Sequence, residues 1–281
     1  MTLIFVALFG LVIGSFLNVV IARLPERESL LGRSACRHCG APIAAPDNIP
    51  LLSFALLGGR CRTCRAPISW RYPLIEVGTA AAFVAAFLRF DLTPAFALAS
   101  ALLAALVAIT AIDLEHQIIP DAISLPGIAV GLALGPATGL TPRSDALLLP
   151  EWLGAMAEIS GMGRDTWLHA FVSALLGAII CGGLLFIVIA VSGWVYAKTN
   201  PELPGGMGMG DMKLSAMLGA FLGWRLGLFA LFVAVVAGGV VAAGLLLAGR
   251  KGRKDAVPFG PFLALGGATA LLVEPPDFLG L

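Results

Sequence analysis

Apolar segments that are long enough, or nearly long enough, to cross a bilayer recur along almost the whole sequence. They lie at 2–22, 73–90, 94–112, 122–140, 167–192, 212–224, 226–248 and 258–274. A hydrocarbon core of ~30 Å requires about 20 apolar residues in a helix, and backbone in lipid must satisfy its own hydrogen bonds. The sequence therefore predicts an all-α, polytopic bundle of about eight transmembrane helices, of which segment 212–224 is short for a full span.

The composition excludes an ordinary soluble domain. Hydrophobic residues make up 59% of the chain and charged residues only 12%, whereas soluble domains are about 25% charged. The net charge of +1 gives no overall basic field, so we expect a lipid bilayer and no nucleic acid as the surroundings. Composition alone leaves transporter, channel, enzyme and assembly factor open.

The placement of basic residues predicts the orientation in the membrane. If eight spans alternate, all but four of the 18 Lys and Arg residues fall on one side. The four exceptions are Arg89, Arg143, Arg164 and Arg225. The positive-inside rule makes the basic side cytoplasmic, which predicts a multi-pass protein of a bacterial inner membrane with both termini on the opposite side.

Three regions are predicted. Residues 1–22 form a first transmembrane helix, retained because Arg23 and Arg27 follow it and no small-residue cleavage site is evident. Residues 23–72 form a cytoplasmic four-cysteine segment, and residues 73–281 a transmembrane catalytic domain. The 139–166 loop is expected to be an interfacial segment on the outer side, with no assigned function. No convincing internal repeat is predicted.

Four cysteines are arranged as two CxxC knuckles, Cys36 with Cys39 and Cys61 with Cys64. Four thiolates in this arrangement match a structural zinc site, which has no open position for catalysis. Two disulfides or free thiols are the alternative, which a reducing cytoplasm disfavours. The fifth cysteine, Cys181, lies within an apolar span and is interpreted as a small buried hydrophobe.

Two carboxylates end apolar or glycine-rich segments on the predicted cytoplasmic side, namely Asp113 and Asp211. Like charges in one apolar site cannot both ionise easily, so a close pair shares one proton. The ionised member can then take a proton from water while the neutral member donates to a scissile carbonyl. The pattern predicts that Asp113 and Asp211 are a catalytic pair for aspartic proteolysis.

The residues around Asp211 are interpreted as an active-site loop. Gly208 and Gly210 permit close approach of an extended substrate backbone, and Lys213 either tunes the Asp211 carboxyl or only faces the interface. A nucleotide or S-adenosylmethionine loop is the alternative for these glycines, but it requires a preceding strand that the sequence does not predict.

Other acidic residues near the spans have less specific interpretations. Asp121 follows Pro120 and is expected to be an N-cap. Glu115 and His116 are expected to face water. Glu76, near the start of a span, is expected to pair with a basic residue or to position substrate.

Taken together, these motifs resemble the type IV prepilin peptidase family, the leader peptidase/N-methyltransferases within the GxGD membrane aspartic proteases. The likeness begins with Gly14-Ser-Phe-Leu-Asn18 and continues through the knuckles. It also includes Ile112-Asp113 with Ile119-Pro120-Asp121, then Gly208-Met-Gly210-Asp211-Met-Lys213, and ends at Pro258-Phe-Gly-Pro261.

The resemblance implies cleavage of class III signal peptides of prepilins or pseudopilins, after a glycine and at the cytoplasmic membrane face. It implies that Asp113 and Asp211 are catalytic. It also implies N-methylation of the new amino terminus from S-adenosylmethionine, and a connection with type IV pili or type II secretion.

Two other functions remain as alternatives at this stage. The first is a proton- or cation-coupled transporter that uses Asp113 and Asp211. Both carboxylates map to one membrane face and not to the midplane, which argues against it. The second is a non-catalytic membrane scaffold organised by the zinc segment.

Overall fold

The protein is almost entirely helical in the computed structural model, which describes residues 1–141, 167–199, 208–249 and 257–273. The α-helices are α1 (Thr2–Arg23), α2 (Leu52–Leu56), α3 (Arg71–Phe90), α4 (Pro94–His116), α5 (Asp121–Thr138), α6 (Trp167–Thr199), α7 (Met209–Leu247) and α8 (Gly260–Leu272), with a 3-10 turn at Ala45–Asn48. Within these described ranges there are two isolated β-bridges but no strand. The predicted all-α fold is confirmed.

Six of these helices are long and apolar enough to cross a membrane, namely α1, α3, α4, α5, α6 and α7. The two predicted spans 212–224 and 226–248 form one element, α7, which leaves helical geometry at Gly223. A straight helix of 39 residues would be about 58 Å long, nearly twice a bilayer core of ~30 Å. The break at Gly223 therefore divides α7 into two parts, and α8 is a shorter apolar helix of 13 residues.

The chain divides into two compact units, Met1–Ile112 and Asp113–Leu281. The division falls inside α4, whose last turn belongs to the second unit. Most of the predicted outer loop, residues 142–166, lies outside the described residues, as do residues 200–207 and the basic stretch 250–256.

Close helix packing in the first unit depends on small residues of α1. Added Cβ atoms at Gly10 and Gly14 would lie 2.7 Å and 2.6 Å from the Cα atoms of Ala80 and Glu76 in α3. Glycines four residues apart lie on one helix face and let two helices approach closely. The opposite face of α1 exposes large apolar side chains, including Val12, as a helix facing lipid does.

Glycines also permit close helix packing around α7 in the second unit. Gly177 of α6 lies against the backbone of Gly219, so that a Cβ on either residue would overlap the other. Gly266 of α8 similarly lies against the carbonyl oxygen of Ala230. Helix α7 thus contacts α6, α8 and α5, and its first turn is held next to the functional residues described below.

Candidate active site and cysteine cluster

Asp113 lies in the last turn of α4 and is buried, with 5% of the residue exposed. The backbone N–H of Gly260, the first residue of α8, donates a 2.9 Å hydrogen bond to Asp113 Oδ2. The N-terminus of a helix carries unpaired N–H donors and a partial positive charge. A buried carboxylate of α4 is therefore stabilised by the start of a different helix.

Asp211 lies in the first turn of α7 and is also buried, with 8% exposed. The backbone N–H of Gly208 donates a 3.1 Å hydrogen bond to Asp211 Oδ2, and the Asp211 N–H donates to the Gly208 carbonyl at 3.1 Å. An acidic residue in the first helical turn interacts favourably with the helix dipole. The glycine loop thus fixes the orientation of the Asp211 carboxyl group.

The carboxyl groups of Asp113 and Asp211 are close enough to interact electrostatically. Each accepts one backbone N–H through Oδ2, and each accepts it from a residue at the start of a helix. In the part of the chain that the structure describes, no hydrogen bond reaches either Oδ1 oxygen. The two carboxylates singled out in the sequence are brought together within the second unit.

A second set of contacts joins the two chain segments that carry these carboxylates. A Cβ on Gly210 would lie 2.8 Å from the Cβ of Ile119, so this glycine is needed for close packing of the two segments. The Lys213 ammonium forms an ion pair with Asp121, with 2.6 Å between Nζ and Oδ1. Lys213 is thus paired with Asp121, which was not foreseen.

The predicted N-cap role of Asp121 is wrong. Helix α5 begins at Asp121, its N-cap residue is Pro120, and no side chain caps it. Pro120 has no backbone N–H to donate, but the fixed φ of proline suits a helix start. The N-cap is therefore Pro120, one residue before the predicted position. Glu115 and His116 are exposed, as expected, and their side chains lie 3.9 Å apart.

Gly260 and Ile119 also belong to this site, although neither was predicted to have a role in it. A Cβ on Gly260 would lie 2.6 Å from Asp113 Oδ2, so only glycine leaves room for the carboxyl group. The signal was present, because Pro258-Phe-Gly-Pro261 had been noted as a motif. What the sequence did not contain was the contact across 147 positions of chain.

The four predicted cysteine ligands cluster in the first unit. The sulfurs of Cys36, Cys39, Cys61 and Cys64 all lie within 4.8 Å of one another, with 3.9 Å between Cys36 and Cys64. None forms a disulfide. Tetrahedral coordination at Zn–S distances of ~2.3 Å places sulfurs roughly 3.8 Å apart, so the cluster fits a metal ion.

The two knuckles are a short internal repeat that the sequence analysis missed. Both read Cys-Arg-x-Cys-x-Ala-Pro-Ile, starting at Cys36 and at Cys61. The Cys36 N–H donates to the Ala41 carbonyl and the Cys61 N–H to the Ala66 carbonyl, each at 2.9 Å. The expectation of no repeat was therefore wrong at this short length.

Hydrogen bonds from the backbone of Cys39 and His38 lower the pKa of the Cys36 thiol to about 6. The lower pKa favours the thiolate form, which is the form that binds metal.

Hydrogen bonds join the cysteine segment to α1 and α3. Arg37 Nη2 donates a 2.7 Å hydrogen bond to the Ala22 carbonyl in the last turn of α1. The Leu51 N–H donates a 2.9 Å bond to Oε2 of Glu76, a buried residue of α3. The predicted basic partner of Glu76 is not found among the described residues, where its carboxyl group accepts hydrogen bonds from the Leu51 N–H and from the Ser15 side chain.

The fifth cysteine, Cys181, is fully buried in α6. Its sulfur would lie 2.7 Å from a Cβ on Gly227 of α7. The prediction of a small buried hydrophobe is confirmed.

The fold and the site together define a class of protein: a multi-pass helical membrane protein that carries a buried pair of carboxylates and a four-cysteine cluster. Comparison with known proteins agrees with this class and narrows it. Residues 8–90 match the family described as Bacterial Peptidase A24 N-terminal domain, and residues 100–243 match the Type IV leader peptidase family. The chain belongs to the Type IV leader peptidase family.

Individual relatives extend the match over nearly the full length. A prepilin leader peptidase/N-methyltransferase of Burkholderia pseudomallei (strain 1026b) is 36% identical over 99% of this chain and 88% of its own length. The protein of that name from Aeromonas hydrophila is 37% identical over 95% of this chain and 89% of its own length. One from Myxococcus xanthus (strain DK1622) is 39% identical over 89% of this chain and 65% of its own length. No solved structure matches the chain.

Family membership decides between the functional classes that the sequence had left open. The family is a peptidase family, so the chain is an enzyme, and the transporter alternative is not supported. Six candidate spans and the family together make it a multi-pass inner-membrane protein.

Proposed function

We propose that this protein is an aspartic endopeptidase that removes the leader peptide from type IV prepilins or pseudopilins, with Asp113 and Asp211 as its catalytic pair. The observation that carries the proposal is the placement of two buried, interacting carboxyl groups, each bonded to the start of a helix. Relatives of this chain are named prepilin leader peptidase/N-methyltransferases, which supports the substrate class.

The proposed mechanism needs one proton shared by Asp113 and Asp211. The ionised carboxylate takes a proton from a water molecule held between the Oδ1 oxygens, and the hydroxide formed attacks the scissile carbonyl carbon. The protonated carboxyl group donates its proton to the carbonyl oxygen as that oxygen gains charge. As the intermediate collapses and the C–N bond breaks, the carboxyl group that took the water proton gives it to the leaving amine, and the other carboxylate recovers its proton from the hydroxyl group of the intermediate. The pair titrates as one unit.

The backbone bonds from Gly208 and Gly260 hold both carboxyl groups in fixed orientations before substrate arrives. Such preorganisation lowers the cost of reaching the transition state. Gly208 has no side chain, so an extended peptide can approach the Asp211 carboxyl group closely. We place the cleaved bond, which follows a glycine, at the cytoplasmic membrane face. The predicted alternation of spans puts Asp113 and Asp211 on the side that carries most of the basic residues, and the positive-inside rule makes that side cytoplasmic.

Replacing each aspartate with asparagine tests the peptidase proposal. Asp113→Asn and Asp211→Asn keep the size of the side chain but replace the carboxyl group with an amide that cannot take or give the catalytic proton. Cleavage of a prepilin in membranes should therefore fall on the order of 10²–10⁴-fold. Asp91→Asn is the matched control, because Asp91 is exposed in the turn between α3 and α4 and is not one of the pair. Wild-type cleavage by either site variant would refute the assignment of that residue.

We propose that the four-cysteine cluster holds one structural zinc ion. Four thiolates in a closed site leave no position for water, so the ion would stabilise the fold of the segment and take no part in cleavage. Metal analysis of the purified protein should find about one zinc per chain. Cys36→Ser and Cys61→Ser should lower this content, whereas Cys181→Ser should not. Unchanged metal in the knuckle variants would contradict the proposal.

We propose that the same protein methylates the new amino terminus with S-adenosylmethionine as the methyl donor, because the relatives are named N-methyltransferases. Intact-mass analysis of the mature product checks this directly. With S-adenosylmethionine, the product should be heavier by one methyl group; without it, cleavage should proceed and the extra mass should be absent. A product that never gains this mass would refute the second activity.

A further inference from the structure

An apolar groove of about 780 Å³ opens in the first unit beside the second knuckle. One wall is formed by Phe54 and Ala55 of α2, and another by Ile68 and Trp70, which precede α3. The Phe54 and Trp70 rings pack with their centroids 5.0 Å apart. The volume is in the range of pockets that hold small molecules, which are also mainly apolar.

The groove continues onto the part of α3 that faces lipid. Leu74 and Val77 line its lower end, and they are 67% and 50% exposed although they belong to a membrane-spanning helix. Trp70 is 71% exposed at the point where this helix begins. Tryptophan is enriched where a membrane helix meets the interface, so the groove lies at the level of the bilayer surface.

One positively charged side chain borders the groove. Arg60 is exposed and lines the groove beside Gly59. The lining of the groove therefore combines apolar side chains, two of them exposed on a membrane-spanning helix, with one cation. This is the chemistry of a phospholipid, which has acyl chains below and a phosphate above.

We propose that this groove binds a phospholipid of the adjoining leaflet, with an acyl chain against the apolar side chains that line the groove and the headgroup phosphate at Arg60. The bound lipid covers apolar surface of the cysteine segment that water would otherwise contact. The lipid thereby anchors the cysteine segment at the membrane surface. The residues of the groove all belong to the first unit and the carboxylate pair to the second, and the proposal does not depend on the proposed peptidase mechanism.

The apolar helix of a prepilin is the competing occupant. It is less suited to the groove than a lipid, because the groove is continuous with a surface that bulk lipid already covers. A helix entering it would also leave Arg60 opposite an apolar segment. The crosslinking test described next distinguishes a lipid from a prepilin helix in the groove.

The test uses the full-length protein in vesicles of phosphatidylethanolamine and phosphatidylglycerol that contain a phospholipid with a photoreactive diazirine in its acyl chain. After illumination, we expect lipid adducts on Phe54, Ala55 and Ile68, which lie outside the spanning helices, and none on Ala45. Ala55→Trp fills the groove and should reduce labelling of Ile68 severalfold. Ala45→Trp, at another exposed alanine in a short turn, should not.

Absence of adducts at Ile68, or equal labelling at Ala45, would overturn the proposal. Loss of the adducts when a prepilin is added, with a photoreactive prepilin attaching there instead, would assign the groove to substrate. Metal content of the Ala55→Trp protein shows whether its cysteine segment remains folded.

The headgroup part of the proposal has its own test. Arg60→Gln should lower severalfold the ratio of labelling by a photoreactive phosphatidylglycerol to labelling by a photoreactive diacylglycerol, which has no phosphate. Arg33→Gln removes the same charge from another exposed position of the segment and should leave the ratio unchanged. An unchanged ratio in the Arg60 variant would remove that residue from the site.

Discussion

The backbone N–H of Gly260 bonds to the Asp113 carboxylate at 2.9 Å and joins residues that are 147 positions apart in the chain. Through this bond, the start of α8 orients a side chain at the end of α4. The bond requires a residue without a side chain, because a Cβ at position 260 would come within 2.6 Å of Asp113 Oδ2. Gly260 is thus a positioning residue for Asp113.

Gly260→Ala should therefore impair cleavage by moving the Asp113 carboxyl group. A displacement of about 1 Å at a catalytic group costs roughly 100-fold in rate, and we expect a fall in kcat of that order with KM for the prepilin little changed. The measurement is steady-state cleavage of a prepilin by the purified variant.

Gly183→Ala is the control for this variant, since a Cβ on Gly183 of α6 has no neighbour within 4 Å. It should retain wild-type kcat. Equal activity of the Gly260 and Gly183 variants would show that the close contact with Asp113 has no functional consequence.

The ion pair between Lys213 and Asp121 predicts a coupling that a double-mutant cycle can measure. The pair is partly exposed, with 25% and 58% of the side chains accessible, so we expect a coupling free energy of about 0.5–1 kcal/mol. Thermal unfolding in detergent of Lys213→Met, Asp121→Asn and the double variant gives this value. Strictly additive effects would show that the pair contributes nothing to stability.

The fold class and both acidic segments were predictable because they depend on local signals. Apolar segment length identifies spans, and a carboxylate at the end of such a segment stands out because burying it there is costly. Paired CxxC motifs identify the cysteine cluster for a similar reason, since ligand spacing is local.

The partners of these residues were not predictable, because they depend on which helices pack together. No local pattern indicates that Gly260 meets Asp113, that Gly210 meets Ile119, or that Lys213 pairs with Asp121. The division of α7 was predictable, by contrast, because the sequence places a boundary between the segments 212–224 and 226–248. The structure leaves helical geometry at Gly223, next to that boundary, and is helical on both sides of it.

The bond from Leu51 to Glu76 predicts that Glu76 holds the cysteine segment on α3. Glu76→Ala would leave a partly buried N–H without an acceptor, which costs about 1–3 kcal/mol. We expect faster proteolytic cutting within residues 23–72 of this variant in membranes. Glu76→Gln retains an acceptor oxygen and should be cut at nearly the wild-type rate. If both variants resist the protease equally, the bond does not hold the segment.

Removal of the metal should affect the cysteine segment before it affects the membrane helices. A chelator strong enough to compete for a four-thiolate site should release zinc and expose residues 23–72 to protease, because so small a segment has little core of its own. The spans should remain folded, since their helices satisfy their own backbone bonds. Circular dichroism that loses most of its helical signal on chelation would contradict this separation.

The backbone at Gly223 has φ 79° and ψ 175°, a conformation that is essentially restricted to glycine. Gly223→Ala should therefore strain the break in α7, at a cost on the order of 1–3 kcal/mol, and lower the midpoint of thermal unfolding in detergent. Gly239→Ala lies in the same helix with open space around its Cβ. It should raise the midpoint or leave it unchanged, since alanine is favoured over glycine in a helix by about 1 kcal/mol. Equal midpoints for the two variants would mean that α7 can pass through position 223 as a regular helix.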